Sequence, residues 1–451
     1  MSFVEETGET QTPAVFSLPP GSTVRDATSR FEEATYRTLK WRLIPFLMLC
    51  YVLAYLDRVN VGFAKLQMLG DLSFSEAVYG LGAGLFFVGY FLFEVPSNLL
   101  LHRVGARVWI TRIMVTWGAV SSLMAFVITP AQFYILRFLL GAAEAGFYPG
   151  IIVYLTYWFP SQRRARVLAT FQSAIPLSGL LGGALSGRIL DQLDGWCHHR
   201  GWQWLFLIEA LPSVIVGITV FFYLDDGIAK ARWLSPVQKD LLMRNIAQED
   251  ALKGHVSVRE IFTDLRVWGL CALVFGLIMG LYGISFWMPT LLKDTGGTVS
   301  TTQVGWLSAI PNLIAIAAML LFARSSDLKR ERRWHVALAA LLGALGLALS
   351  ALFSNNLSLE LVSLSLAAAG IMSALPMQWS FSTAFVRGSS AAAAIALINS
   401  VGNLAGVVSP PLIGWLKDRT QSTDTGIYVI AGCAVVSAIL ALSFPARLVD
   451  K

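Results

Sequence analysis

Charge is what this chain has least of. Only 14% of its 451 residues are Asp, Glu, Lys or Arg, against 55% hydrophobic, and the mean hydropathy is +0.63. A soluble chain of this length is about a quarter charged, so an ordinary soluble protein is excluded. Cysteine is scarce too. Cys50, Cys197, Cys271 and Cys433 lie far apart, three of them in apolar runs, which leaves no disulfide framework and no paired CxxC metal motif. Cys197-His198-His199, with Asp191 and Asp194 near, is the one cluster with metal-ligand chemistry. Its loop is short and no second cluster completes it, so no metal is expected. Five histidines and the scattered cysteines give no nucleophile–base pair, and the chain reads as no enzyme, without cofactor. Residues 1–40 lack an apolar h-region; rich in Glu, Thr and Pro, they read as a disordered tail.

What fills the rest is apolar sequence of membrane-spanning length. Twelve segments follow the tail, at 43–63, 77–99, 108–129, 131–157, 166–189, 203–224, 267–291, 303–323, 335–353, 357–383, 391–415 and 426–445. The expected fold is an all-α membrane protein with six-helix bundles at 41–224 and 267–446, joined by a charged linker at 225–266. Within the linker, Val237 to Ile246 has the composition of a short surface helix. With the amino terminus inside, 26 of the 34 Lys and Arg fall in cytoplasmic tails, loops and flanking turns, and 6 fall outside. That asymmetry puts both termini in the cytoplasm. The net charge of +6 is therefore topological, and the partner expected is the lipid bilayer rather than nucleic acid.

The two halves repeat. Leu185-Ser-Gly-Arg-Ile-Leu-Asp191 and Leu412-Ile-Gly-Trp-Leu-Lys-Asp418 are 227 residues apart, as are Pro149 and Pro376. A 6+6 parallel duplication with a binding site between the halves is a transporter architecture. Four charges interrupt the spans: Asp57 and Arg58 in the first, Arg137 and Glu144 in the fourth. A charge at membrane depth costs about 2.5–3.5 kcal/mol on insertion scales and marks a functional site by default. Arg137 and Glu144 share a helix face about two turns apart, whereas the neighbours Asp57 and Arg58 point ~100° apart and invite separate partners. Shifted by 227, these positions land on uncharged residues such as Ile284, Ser285, Leu364 and Ile371. Ionic chemistry is thus expected in the first half. The second half offers Tyr282, Trp287, Gln378, Trp379, Asn399 and Asn403.

Several stretches together resemble the major facilitator superfamily, and within it the anion:cation symporter family. They are Tyr55-Leu-Asp57-Arg58-Val-Asn60, Glu94-Val-Pro96-Ser-Asn98, Arg137-Phe-Leu-Leu-Gly-Ala-Ala-Glu144-Ala and Gly201-Trp-Gln-Trp-Leu-Phe206. Ser326-Asp327 with Glu331-Arg-Arg-Trp-His335, and Ile398-Asn399-Ser-Val-Gly-Asn403, complete the set. The resemblance implies twelve helices in two pseudo-symmetric six-helix bundles, residence in the inner (cytoplasmic) membrane, and transport of an organic carboxylate with protons by a monomer. It implies that Arg58 contacts the substrate carboxylate, with Tyr55 and Tyr90 lining the site; from the second half, Tyr282, Asn399 and, evenly balanced against core or lipid packing, Trp287 and Trp379 are the candidates to complete it. Asp57 and Glu144 become the proton-coupling carboxylates with Arg137 their partner, and Arg103, Arg107 and Asp327 a cytoplasmic gate. Glu94 and Glu209 read as structural. Two departures stand out: Ile175 replaces the sugar-acid branch's Gln on helix five, and His102 replaces an Asp. The first tilts the expectation toward a less hydroxylated or aromatic acid. Exporters and exchangers on the same fold are the alternative.

Overall fold

A computed structural model describes residues 24–251, 262–385 and 390–445. All regular structure among these residues is helical. The first half contains α1 (Val24–Val59), α2 (Val61–Leu72), α3 (Glu76–Val104), α4 (Ala106–Leu123), α5 (Pro130–Glu144), α6 (Phe147–Thr156), α7 (Ser161–Gln172), α8 (Ala174–Gln192) and α9 (Gly201–Tyr223). After the linker helix α10 (Pro236–Ala251), the second half runs through α11 (Leu265–Gly296), α12 (Thr301–Lys329), α13 (Arg333–Leu352) and α14 (Leu357–Phe385). It ends with α15 (Ser390–Asn403), α16 (Ala405–Thr420) and α17 (Asp424–Ser443). The pairs α1/α2, α5/α6, α7/α8 and α15/α16 each form one broken crossing, giving twelve.

Eleven of these crossings are long and apolar enough to span a membrane. The fifth, α7/α8, opens with Arg163, Arg164 and Arg166 and is not among those eleven. The expected tail also ends earlier than residue 40. Residues 24–40 belong to α1, because Tyr36 and Leu39 are buried and Glu32 and Glu33 pair with Arg163 at 3.4 and 2.7 Å. Asn245 of α10 then bonds both Glu32 and Tyr36. Residues 1–23 of that tail and 252–261 of the linker lie outside the described residues.

Two seams join the halves, α8 against α12 and α3 against α16. The 227-residue offset exchanges them. A Cβ on Gly187 would overlap the Thr301 carbonyl, and one on its repeat mate Gly414 would overlap the Glu76 carbonyl. Only glycine permits such backbone contact between helices. Each seam ends on a repeat-related aspartate that crosses to the other half. Asp191 accepts from the Thr301 hydroxyl and, at 2.7 Å, from the Thr302 amide. Asp418 accepts from the amides of Glu76 and Ala77 at 3.2 and 2.8 Å. These are the free N–H groups of a helix first turn, where a carboxylate is favoured by hydrogen bonding and by the helix dipole together.

Between these caps, α2 supplies buried Lys65, paired to Glu76 at 2.6 Å. Lys417 reaches Glu76 at 3.0 Å and Asp294 at 2.8 Å. With the Tyr79 hydroxyl donating to the Phe286 carbonyl at 2.8 Å, this face of the molecule is sealed between the halves. The start of α1, the end of α17 and the linker helix α10, which bonds to α1, lie at the opposite face.

Candidate functional site

Below the seal, midway along the helices, a cavity lies between the halves. The first half lines it with Tyr51, Tyr55, Arg58, Tyr90, Tyr148, Gln172 and Ile175. The second half contributes Ile278, Leu281, Tyr282, Leu375, Gln378, Trp379, Asn399 and Asn403. Six of the seven expected substrate contacts are therefore brought together. Trp287 is the exception. It is buried in the seal, with the Lys65 ammonium 3.8 Å from its ring centre and Tyr79 edge-on at 5.4 Å. Its place one crossing-end away from Tyr282 follows from helix rise, since five residues advance about 7.5 Å along an axis.

Arg58 is the sole full positive charge among the lining residues. Its Nη2 donates to Glu144 Oε1 in a buried ion pair, and its Nη1 donates to the Tyr282 hydroxyl across the halves at 3.4 Å. Tyr282 passes the link on to Asn403 Oδ1 at 3.3 Å. The guanidinium also sits 5.3–5.6 Å from the ring centres of Phe86, Tyr90 and Tyr55, a cage that favours a cation. Arg58 Nε remains without a partner.

Local sequence explains how Glu144 reaches this spot. It is the last residue of α5, and the chain then turns through Ala145 and Gly146, whose φ is +84°. A left-handed residue is cheap only for glycine, and a Cβ there would also overlap the Ser97 side chain. The break ends the helix at the carboxylate and aims it at Arg58.

Arg137 is not the partner of these carboxylates. Fully buried, its Nε donates to the Gly82 carbonyl at 3.3 Å and both terminal nitrogens to the Arg58 carbonyl at 3.5 Å. Two turns along α5 are too far for Arg137 and Glu144 to meet, so Arg137 braces the backbone that carries Arg58. Asp57 turns the other way, as its angular offset requires. It accepts from Trp117 Nε1 at 3.1 Å, Ser121 at 3.0 Å and Ser213 at 2.5 Å, out of the cavity.

The expected gate residues do not bridge the halves in their described contacts. The Arg107 amide donates to Asp226 at the start of the linker, Asp327 pairs with Arg332 within the second half, and Arg103 is exposed. Sequence reasoning also missed several residues. Glu94, read as structural, is buried and accepts from Asn399 Nδ2 across the halves at 3.1 Å. Gln172, one turn before Ile175, lines the cavity and donates to the Tyr148 hydroxyl at 2.9 Å, so a helix-five glutamine is present after all. The second half is not free of buried carboxylates either: Glu360 accepts from Ser350 at 2.8 Å. Spacing could have flagged Gln172, since Ile175 shares its helix face.

With this geometry established, comparison with known proteins is informative. The family described as Major Facilitator Superfamily matches residues 47–410. The chain is 48% identical over 432 residues to the "Putative metabolite transport protein NicT" of Pseudomonas putida, covering 95% of this chain and 99% of that one. It is 51% identical over 416 residues to a "Putative tartrate transporter" of Agrobacterium vitis, covering 92% and 95%. Among solved structures, a D-xylose-proton symporter superimposes with a TM-score of 0.73 over 91% of this chain and 99% of that one, at 16% identity. That likeness is one of fold.

Proposed function

The chain belongs to the Major Facilitator Superfamily and is a multi-pass membrane transporter, not an enzyme, and on that premise we propose that it imports a small hydroxylated organic carboxylate together with protons. The observation that carries this is Arg58, a caged guanidinium in the cavity whose one ionic partner is Glu144. A guanidinium binds a carboxylate bidentately, so the substrate and Glu144 compete for the same fork. A proton on Glu144 removes its claim and frees Arg58 for the substrate; loss of that proton returns Arg58 to Glu144 and expels the anion. Substrate and proton are thereby bound in the same step and released in the same step.

Energetics favour import by symport. An anion entering a negative-inside cell opposes about 2.3 kcal/mol per charge per 100 mV, so uptake needs at least one proton per negative charge. Asp57 is the second proton carrier in this reading. The positive-inside distribution supports cytoplasmic termini in an inner membrane, which makes the sealed face the outer one and the cavity an inward-facing site. Gln172, Gln378, Asn399 and Asn403 around Arg58 suit hydroxyl groups, and the relative described as a tartrate transporter suits the same class. Ile175 and the aromatic lining of Tyr51, Tyr55, Tyr90, Tyr148, Tyr282 and Trp379 suit an aromatic acid as the second reading. A monomer holds every residue of this cycle.

The test is uptake into proteoliposomes of radiolabelled tartrate, a sugar acid, phthalate, hydroxyphenylacetate and glutamate under an imposed pH gradient. Acid-driven accumulation of a hydroxylated acid, abolished in Arg58→Ala and reduced to exchange in Glu144→Gln, is the expected outcome. Flux that ignores the pH gradient would leave an exchanger or exporter.

A further inference from the structure

On the side of α1 away from Arg58 lies a polar cluster that this cycle uses only in part. Asp57 and Asn60 project from α1 and its junction with α2; Glu209 and Ser213 project from α9. Spacings of three and four residues put each pair on one helix face, and the Ser213–Asp57 hydrogen bond at 2.5 Å joins the two faces. Glu209 Oε1 accepts from Ser186 of α8 at 2.6 Å. Its other oxygen, Oε2, is buried without a hydrogen-bond partner, as are both amide atoms of Asn60, which faces Glu209. Asp57, Asn60 and Glu209 are 1%, 1% and 2% exposed.

Charged groups on the surrounding helices are committed elsewhere. Arg58 of α1 is on Glu144 and Lys65 of α2 is on Glu76. On α4, the Arg112 guanidinium lies over Trp109 and Arg107 over Phe221. On α8, Arg188 lies over Trp306 and Asp191 is on Thr301 and Thr302. Arg137 of α5 is on backbone carbonyls. Among the described residues, two buried carboxylates thus share a pocket with hydroxyls, an indole and a carboxamide, and no cation.

An ionised carboxylate in such surroundings is stable only if hydrogen bonds satisfy it. Asp57 has three donors on its two oxygens. Glu209 has one, and the carboxamide of Asn60 lies beside it. A hydrogen on Oε2 would donate to Asn60 Oδ1; after its departure the amide can turn and donate Nδ2–H to the bare oxygen. Asn60 suits either state. A metal cation would need some six lone pairs turned inward, whereas the Asp57 oxygens are already taken by donors.

We propose that Glu209, facing Asn60, binds and releases a transported proton, as a site separate from the Glu144–Arg58 pair. The proton comes from outer water to Oε2 and leaves to inner water. The inference rests on the symport reading, which it deepens by adding Glu209 to the coupling residues.

Infrared spectroscopy of the purified full-length protein tests this, with the wild type compared to Glu209→Gln and Asn60→Ala in potassium and in sodium buffer. The expected result is a hydrogen/deuterium-sensitive carboxylic-acid carbonyl band that disappears in Glu209→Gln and shifts in frequency in Asn60→Ala. It fades as pH is raised and ignores the exchange of potassium for sodium. Should Glu209→Gln not fold, the Asn60→Ala shift decides the same question. Carboxyl bands untouched by either substitution, a Glu209 band that never fades while the protein stays folded, or one altered by sodium would each overturn the proposal. Tartrate uptake that ignores a pH gradient beside a titrating Glu209 band would sink the symport reading and leave the proton site standing. Gradient-driven uptake with unchanged bands in both variants would do the reverse.

Discussion

The two halves are copies in their seams and strangers in their sites. At the sealed face, Gly187 and Asp191 do for α12 what Gly414 and Asp418 do for α3. At the midplane, Arg58, Arg137 and Glu144 have no charged counterparts in the second half. The duplication has kept the parts that let the halves close on each other and has let the chemistry diverge. A seam must fit on both sides of a pseudo-two-fold axis; an anion with one charged end needs a cation on one side only.

The largest expected effect comes from the unmatched half. Truncating one member of a buried hydrogen-bonded charge pair costs about 2–5 kcal/mol, so Arg58→Ala should lower uptake by at least about 30-fold. It also leaves Glu144 buried and unpaired, and thermal stability should fall. Adding Glu144→Gln should restore the thermal midpoint without restoring uptake. A double variant that regains transport would show that Arg58 serves only to neutralise Glu144.

The matched parts predict matched losses. A helix cap is worth about 1 kcal/mol, roughly fivefold in an opening equilibrium. Asp191→Ala and Asp418→Ala should each raise opening of the sealed face by about that factor, and the pair should combine additively because they sit in separate seams. The measurement is labelling by a membrane-impermeant maleimide of a cysteine placed at Thr302, in a Cys197→Ser background. Unequal effects of the two substitutions would break the symmetry claimed for the seams. Glu94→Gln, which weakens the cross-half bond to Asn399, should act on the side away from the seal with a smaller change, about threefold, from a net hydrogen-bond contribution of ~0.5–1.5 kcal/mol. It should leave labelling at the sealed face unchanged.

Much of this was legible in the chain. Twelve crossings, the 227-residue repeat and the four intramembrane charges follow from hydropathy and spacing, and so does the divergence of Asp57 from Arg58. What spacing cannot supply is pairing between segments. Arg137 and Glu144 share one helix face, so sequence joins them, whereas Glu144 meets Arg58 only because Gly146 breaks the helix and aims the carboxylate at α1. Trp287 shares a helix with Tyr282, and the rise between them separates seal from cavity. Asp191 and Asp418 were visible as repeat markers, but their use as caps for the opposite half depends on docking that no local pattern encodes. The start of α1 went unread because Glu32 and Glu33 find Arg163 far along the chain.

The smallest effect sharpens the comparison from the substrate's side. Gln172 stands in the ionic half of the cavity, its amide spent in part on the Tyr148 hydroxyl, with Ile175 one turn on. If the transported acid carries hydroxyls, Gln172 is the first-half group suited to read them, while the second half offers Gln378, Asn399 and Asn403. Gln172→Ala should then weaken tartrate competition by about fivefold, one neutral hydrogen bond's worth of ~1 kcal/mol. Succinate, the same dicarboxylate without hydroxyls, should be affected less than twofold, since its carboxylate contact to Arg58 is untouched. Equal losses for both acids would mean that Gln172 only props Tyr148 against the stacked Tyr51 and Phe171. The hydroxyl-bearing class would then lose its first-half support, and the second half alone would have to distinguish one acid from another.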